Sequence, residues 1–189
     1  GRFIQRFDGR GFTAVLPRVP PSIRYMGWSW GQTNFEDRDG AWWITTGQGL
    51  LRYSGVHRIE DLARVSPTTI FTKRDGLPGE DIFRLYEDRH GDVWVGNVIP
   101  PGNGLTRWER STGRLLAYGP ELGITKEFCP TAFAEDRRDD LWIGSWDVGI
   151  VRLREGRFTH YGPEAGAPRG FIHALHVDKS NRLWIASED

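Results

Sequence analysis

The chain has 189 residues, 24 of them glycine and nine tryptophan, enough for one good core or two small ones. Its 25 lysines and arginines balance 25 aspartates and glutamates, which leaves no field or local basic cluster for nucleic acid. A lone cysteine, Cys129, excludes an internal disulfide framework and a multi-cysteine metal site, and no apolar run approaches the ~20 residues of a membrane span.

In chain order, the opening GRFIQRFDG matches the later GRFTHYGPE and reads as a closing strand. Four stretches then align without gaps: EDRDGAWWIT from Glu36, EDRHGDVWVG from Glu87, EDRRDDLWIG from Glu135 and VDKSNRLWIA from Val177. Asp37, Asp88, Asp136 and Asp178 share one column, and Trp43, Trp94, Trp142 and Trp184 another. Their starts lie 51, 48 and 42 residues apart, the spacing of stacked or radial repeats. Each unit begins with an apolar strand such as IFRLY (82–86), TAFA (131–134) or FIHALHV (171–177). The Asp turn and a Trp-centred strand follow. A glycine introduces a third strand (GLLRY, GLTRW, GIVRL), and a more polar fourth closes the unit (TIFTK, RLLAY, RFTHY).

The turn chemistry is legible. Asp offers an acceptor to the backbone of a tight turn, and three residues on the turn needs positive φ, which Gly takes freely and Asn or Asp tolerate. That column holds Gly40, Gly91, Asp139 and Asn181. The Trp strands are apolar at adjacent positions, so both faces are buried. A sandwich would wet one face, whereas radially packed sheets dry both. The expected fold is all-β, a β-propeller of four-stranded antiparallel blades, with about four blades of a partial ring represented. Residues 1–17 are the tail of a preceding blade; 24–73, 76–118 and 123–161 are blades, and 166–189 is half of another. Three arrangements satisfy the open edges: membership of a larger ring, the favoured reading; pairing of residues 2–8 with the last half-blade; or association of two copies as a homodimer.

The pattern GLP…I..LYEDRHGDVWVG…GLTRW…TGRLLAY resembles the two-component regulator propeller repeat, from about Trp28 to Asp189. The resemblance implies the periplasmic or extracellular sensory region of a bacterial hybrid histidine kinase or related regulator. It also implies a longer parent with a seven-bladed ring, an immunoglobulin-like module and a kinase. Two stretches depart from the pattern: 54–68 lengthens a third-to-fourth strand connection, and 97–103 lengthens the loop after a Trp strand.

No catalytic constellation, cofactor motif or metal set is expected. His90 lies in a turn, His160 in an outer strand and His57 in the long insertion. His173 and His176 sit three apart on one strand, hence on opposite faces. Each Asp turn has one placed carboxylate rather than the 6–8 oxygens of calcium. Binding is the better prospect, in the loops that precede first strands and follow Trp strands, at one mouth of the channel. They hold Trp28, Trp30 and Trp146 with Asn97, Lys126, Asp147 and Arg169. Flat aromatics beside hydrogen-bonding and cationic groups suit a small molecule or an oligosaccharide, acidic ones included. The expected function is ligand sensing, with carbohydrate fragments as candidate ligands and no enzymatic role for this segment. A streptogramin-lyase-like enzyme and a protein-interaction scaffold are the alternatives. Neither nucleic acid nor, for this segment, membrane is an expected partner.

Overall fold

The computed structural model describes residues 3–23, 34–79, 81–97, 104–124, 128–146 and 148–188. Among them the regular elements are short β-strands joined by tight turns and 3₁₀ turns. Three complete antiparallel four-stranded sheets follow one another along the chain. The first comprises β3 (Asn34–Glu36), β4 (Trp42–Thr46), β5 (Gly49–Tyr53) and β6 (Thr69–Phe71). The second comprises β7 (Ile82–Glu87), β8 (Val93–Asn97), β9 (Gly104–Glu109) and β10 (Arg114–Tyr118). The third comprises β11 (Pro130–Glu135), β12 (Leu141–Ser145), β13 (Ile150–Arg154) and β14 (Arg157–Tyr161). Hairpins flank them: β1 (Ile4–Phe7) with β2 (Phe12–Val15), and β15 (Ile172–Val177) with β16 (Leu183–Ser187). These are propeller blades in an arc. The two hairpins belong to separate sheets, so no ring closes among the described residues.

The turns obey the steric argument. Gly40, Gly91, Asp139 and Asn181 have φ of 77°, 85°, 65° and 62°. The tryptophans bridge blades as the sequence pattern requires. Trp43 packs with Ile82, Leu85, Val93 and Trp108 of the second sheet. Trp94 packs with Phe133, Leu141, Ile143 and Val151 of the third. Half-buried Trp142 meets Ile172, Leu175 and Leu183. Burying a side chain of this size contributes a few kcal/mol per blade.

Close approach explains a glycine in the Trp strands. A Cβ at Gly144 would lie 2.6 Å from Ile172 Cγ2, and one at Gly96 would meet Pro130 at 3.0 Å. The next blade's inner strand presses directly on that backbone.

The N-terminus differs from its sequence reading. GRFIQRF is not a closing strand. Its Ile4↔Val15 and Arg6↔Thr13 pairs reproduce Ile150↔Tyr161 and Arg152↔Thr159, so β1 and β2 are third and fourth strands. The reason is the turn DGRG: Asp8 Oδ1 accepts from Arg10 N at 2.9 Å and Gly11 N at 3.0 Å. Matching GRF to GRF placed that turn one strand too late. The 54–68 insertion is also structured. Val56, Ile59 and Leu62 pack with Val15, Ile44, Leu51 and Tyr53, wedging the hairpin against the first sheet.

Candidate functional site

Each four-stranded blade presents two ends. Connections after first and third strands emerge at one, which we call the turn end; the other two connections emerge at the mouth end.

At the turn end each Asp serves twice. Asp88 Oδ1 accepts from His90 N and Asp92 N, both at 2.9 Å, while Oδ2 accepts from the Trp94 indole N–H at 2.8 Å. Asp37 repeats the set with Trp43 at 2.7 Å, and Asp136 with Trp142 at 3.2 Å. On each Trp strand's neighbour an arginine lies directly opposite: Trp43↔Arg52, Trp94↔Arg107 and Trp142↔Arg152. Their guanidinium carbons sit 5.4, 5.6 and 5.6 Å from the ring centroids, within cation–π range. Burial alone would raise the Asp136 carboxyl; the Arg138 amide, the Trp142 indole and the Asp140 amide outweigh it and hold it low.

Successive blades are clamped at this end. Arg38 donates to Glu87 Oε1 at 2.7 Å and to the carbonyls of Asp88 and Arg89 at 2.6 Å each. Arg89 repeats this on the third blade, its amide donating to Glu135 Oε2 at 2.8 Å and its guanidinium meeting Asp136 O and Asp139. Burial pushes the Glu135 carboxyl up, partly offset by that Arg89 amide. A cleft of about 710 Å³ opens here between the first and second blades, lined by Asp39, Arg52, His90, Asp92, Arg107, Trp108, Glu109, Arg110 and Ser111. Its charges pair in part: Arg110 grips Asp39 with two 2.7 Å bonds, and Arg107 lies 3.6 Å from Asp92 and 3.3 Å from Glu109, while, among the described residues, Arg52 Nε and Arg107 Nε have no hydrogen-bond partner. The bond to Arg110 depresses the Asp39 carboxyl.

The mouth end is different. Trp146 leaves β12, donates its amide to Cys129 O at 3.0 Å and forms an isolated bridge with Phe171. Its ring stands edge-on to Phe171 at 5.2 Å and is 46% exposed. Phe171 in turn contacts His173 at 4.8 Å and, from across the arc, Phe83 at 6.2 Å. Exposed Arg169 is two residues from Phe171, which puts it at the same end. Asn97 is buried, donating to Gly79 O at 2.9 Å and Asp81 O at 3.2 Å, and so holds the loop leading into β7. Trp28, Trp30, Lys126 and Asp147 lie outside the described residues.

Sequence reasoning missed the inner-strand bulges. Register shifts fall at Phe83, Thr131 and His173, each five residues before its Asp. A bulge re-aims the extra side chain, which is why His173 joins the mouth aromatics. The clue was positional: a fixed distance from the Asp column, with residue type free to vary. Arg84 locks the second bulge, its Nε donating to Thr131 O at 2.7 Å; burial depresses its guanidinium pKa. Among the described residues, no three His, Cys, Asp or Glu groups gather as metal ligands.

Residues 76–98, spanning the second blade's inner hairpin, match the family model described as two component regulator propeller. This stretch is similar to a two component regulator propeller repeat. The same fold appears in solved structures. The extracellular domain of a hybrid two component system from B. thetaiotaomicron superposes with a TM-score of 0.67 at 19% identity, over 82% of this chain and 20% of that one. Virginiamycin B lyase from Staphylococcus aureus gives 0.59 at 17% identity, over 82% of this chain and 48% of its own. PorZ, a surface component of the type-IX secretion system of Porphyromonas gingivalis, gives 0.59 at 16% identity, over 98% and 29%. The chain thus spans a fifth to about half the length of these structures. No curated protein matches it significantly by sequence. Among the described residues no helix is long and apolar enough to cross a membrane. At these identities the likeness establishes the propeller fold.

Proposed function

We propose that the chain is part of a periplasmic or extracellular sensor of a bacterial two component regulatory protein. Its ligand, a carbohydrate fragment bearing a carboxylate or sulfate, binds at the mouth end. The observation that carries this reading is Trp146. Trp43 and Trp94 are spent inside the fold, whereas Trp146 is braced on Phe171 with nearly half its surface open. A sugar ring stacks on such a face, and Arg169 on the same end supplies the cation. Phe83 and Phe171 join the second blade to the last hairpin across the mouth. A ligand wedged beside them favours one blade spacing over another, and that difference is the signal. The turn-end cleft is the poorer candidate because its acidic groups are already engaged, Asp39 by Arg110 and Glu109 by Arg107.

Calorimetry with uronate- and sulfate-bearing oligosaccharides tests the reading. Trp146→Ala weakens binding by about 1–3 kcal/mol, Arg169→Ala selectively weakens acidic ligands, and Arg110→Ala at the turn end leaves binding unchanged. Binding indifferent to Trp146 and Arg169 but lost with Arg110→Ala moves the site to the turn-end cleft and ends this proposal. The second reading, a lyase-like enzyme, has one foothold, His173 against Phe171. It requires His173→Gln to abolish turnover of a bound ligand, whereas a sensor retains binding with no turnover in either form.

A further inference from the structure

The turn-end cleft between the first and second blades has its acceptors taken and its donors left over. Both Asp39 oxygens receive Arg110. Glu109 receives Arg107 at 3.3 Å and the Thr112 hydroxyl at 2.7 Å. Asp92 receives the Arg110 amide at 2.9 Å, with Arg107 Nε 3.6 Å from its other oxygen. The donors are a different matter. Among the described residues, Arg52 makes one side-chain hydrogen bond, Nη1 to Ser54 at 2.9 Å, and Arg107 makes one, Nη2 to Glu109. The His90 imidazole, the Ser111 hydroxyl and the Trp108 indole N–H line the same cleft and, among the described residues, make none. Trp108 thus differs from Trp43, Trp94 and Trp142, whose indoles all donate to turn aspartates.

These donors are held in place before any ligand arrives. The Arg52 guanidinium carbon lies 5.4 Å from the Trp43 ring centroid and 5.0 Å from that of Trp108, and Arg107 lies 5.6 Å from that of Trp94. Such cation–π contacts fix long side chains whose ordering would otherwise oppose binding. The Arg110–Asp39 pair ties the two blades together beside them. The third sheet is built differently at these positions. Leu153 stands where Trp108 stands, opposite the start of the Trp strand. Arg154 replaces Glu109 and grips buried Asp140, so the matching donor is used up inside the fold.

We propose that this cleft binds a small organic acid through its carboxylate, which accepts from Arg52 and Arg107 and from His90, Ser111 and Trp108. Three arginines and three carboxylates line the walls and cancel. No net field therefore recruits the ligand, and short, directed donors select it. A monoanion fits that balance. A dianion such as phosphate brings a second charge against the three wall carboxylates. A sugar ring finds no open aromatic face, because Trp108 is 6% exposed, and no free acceptor for its hydroxyls. The site lies wholly within two complete blades, and it is independent of the ligand at the mouth end.

Nuclear magnetic resonance of the isotope-labelled chain tests it, with sodium acetate titrated at constant ionic strength and the Trp108 indole N–H as reporter. The expected result is a saturating shift of Trp108 while Trp142 stays put. Neutral acetamide gives no such shift, and inorganic phosphate binds more weakly than acetate. Ser111→Ala, at an exposed position, raises the acetate dissociation constant about threefold. Arg107→Lys keeps the charge, loses the planar fork, and raises it at least about fivefold. Unchanged Trp43 and Trp142 indole signals show that both variants are folded. Trp146→Ala leaves the titration as it was, which separates this site from the mouth. A Trp108 shift that never saturates, acetamide binding as well as acetate, or acetate affinity unchanged in both variants overturns the proposal. Phosphate binding more tightly than acetate overturns the carboxylate assignment, and loss of binding in Trp146→Ala moves the acid to the mouth.

Discussion

The second and last inner hairpins of this chain carry the same turn in opposite surroundings. Asp88 and Asp178 each accept two backbone amides and an indole, the latter at 2.8 Å from Trp94 and 2.9 Å from Trp184. Both turns use a left-handed residue, Gly91 and Asn181. Yet Trp94 is 2% exposed and Trp184 is 55% exposed. The turn clamp is therefore built within its own hairpin, and burial is conferred by whatever stands on the next side. A second difference follows. Glu87 and Glu135 receive the preceding blade's arginine, but the last unit has Val177 in that column. There Asn181 substitutes, accepting from Arg137 N at 2.7 Å.

The widest separation between the two units should come from removing the rings. Trp94→Ala costs about 3–5 kcal/mol in denaturant unfolding, transfer and cavity terms together. Trp184→Ala stays within about 0.5 kcal/mol, as surface changes do. Removing the clamp comes next. Asp88→Ala strands two amides and a buried indole N–H for about 2–4 kcal/mol, and Asp178→Ala loses clearly less because water reaches its donors.

Closer to the channel, Gly144→Ala tests the approach of the next blade. Its added methyl meets Ile172 and costs about 1–3 kcal/mol by overpacking, although Ala186 already stands in that column of the last hairpin and Thr45 in the first sheet. The smallest effect concerns acid. The Asp136 carboxyl is depressed by the Arg138 amide and the Trp142 indole against the opposing burial, and Asp178 by the Arg182 amide and the Trp184 indole. A depressed carboxylate contributes stability that is whole above its unfolded value of 3.8 and is lost as pH falls through the folded one. Stability should hold from neutrality to about pH 5 and decline below pH 4. Asp136→Asn and Asp178→Asn should each flatten that decline.

Much of this was legible in the sequence because it is local. The Asp column, the left-handed third position and the doubly apolar Trp strand are settled within one hairpin. Those features alone imply blades rather than a sandwich. Contacts between repeats were not legible. The Arg38–Glu87 and Arg89–Glu135 clamps join residues about fifty positions apart, and their charges read equally well as solvated turn chemistry. His173 was set aside by strict alternation along β15; the bulge breaks that alternation and sets it against Phe171. The opening hairpin was misplaced because a three-residue match outweighed an Asp–Gly turn. At the site, Trp146 and Arg169 were visible as loop residues, but their shared end depends on the bridge between Trp146 and Phe171.

Hydrogen exchange followed by mass spectrometry, on hairpins 82–97 and 171–188, addresses the central claim most directly. If each turn is closed locally but protected by its neighbour, hairpin 82–97 exchanges slowly and hairpin 171–188 exchanges fast. Equal protection of the two hairpins would contradict the account, because burial by a neighbouring blade would then not be what stabilises them.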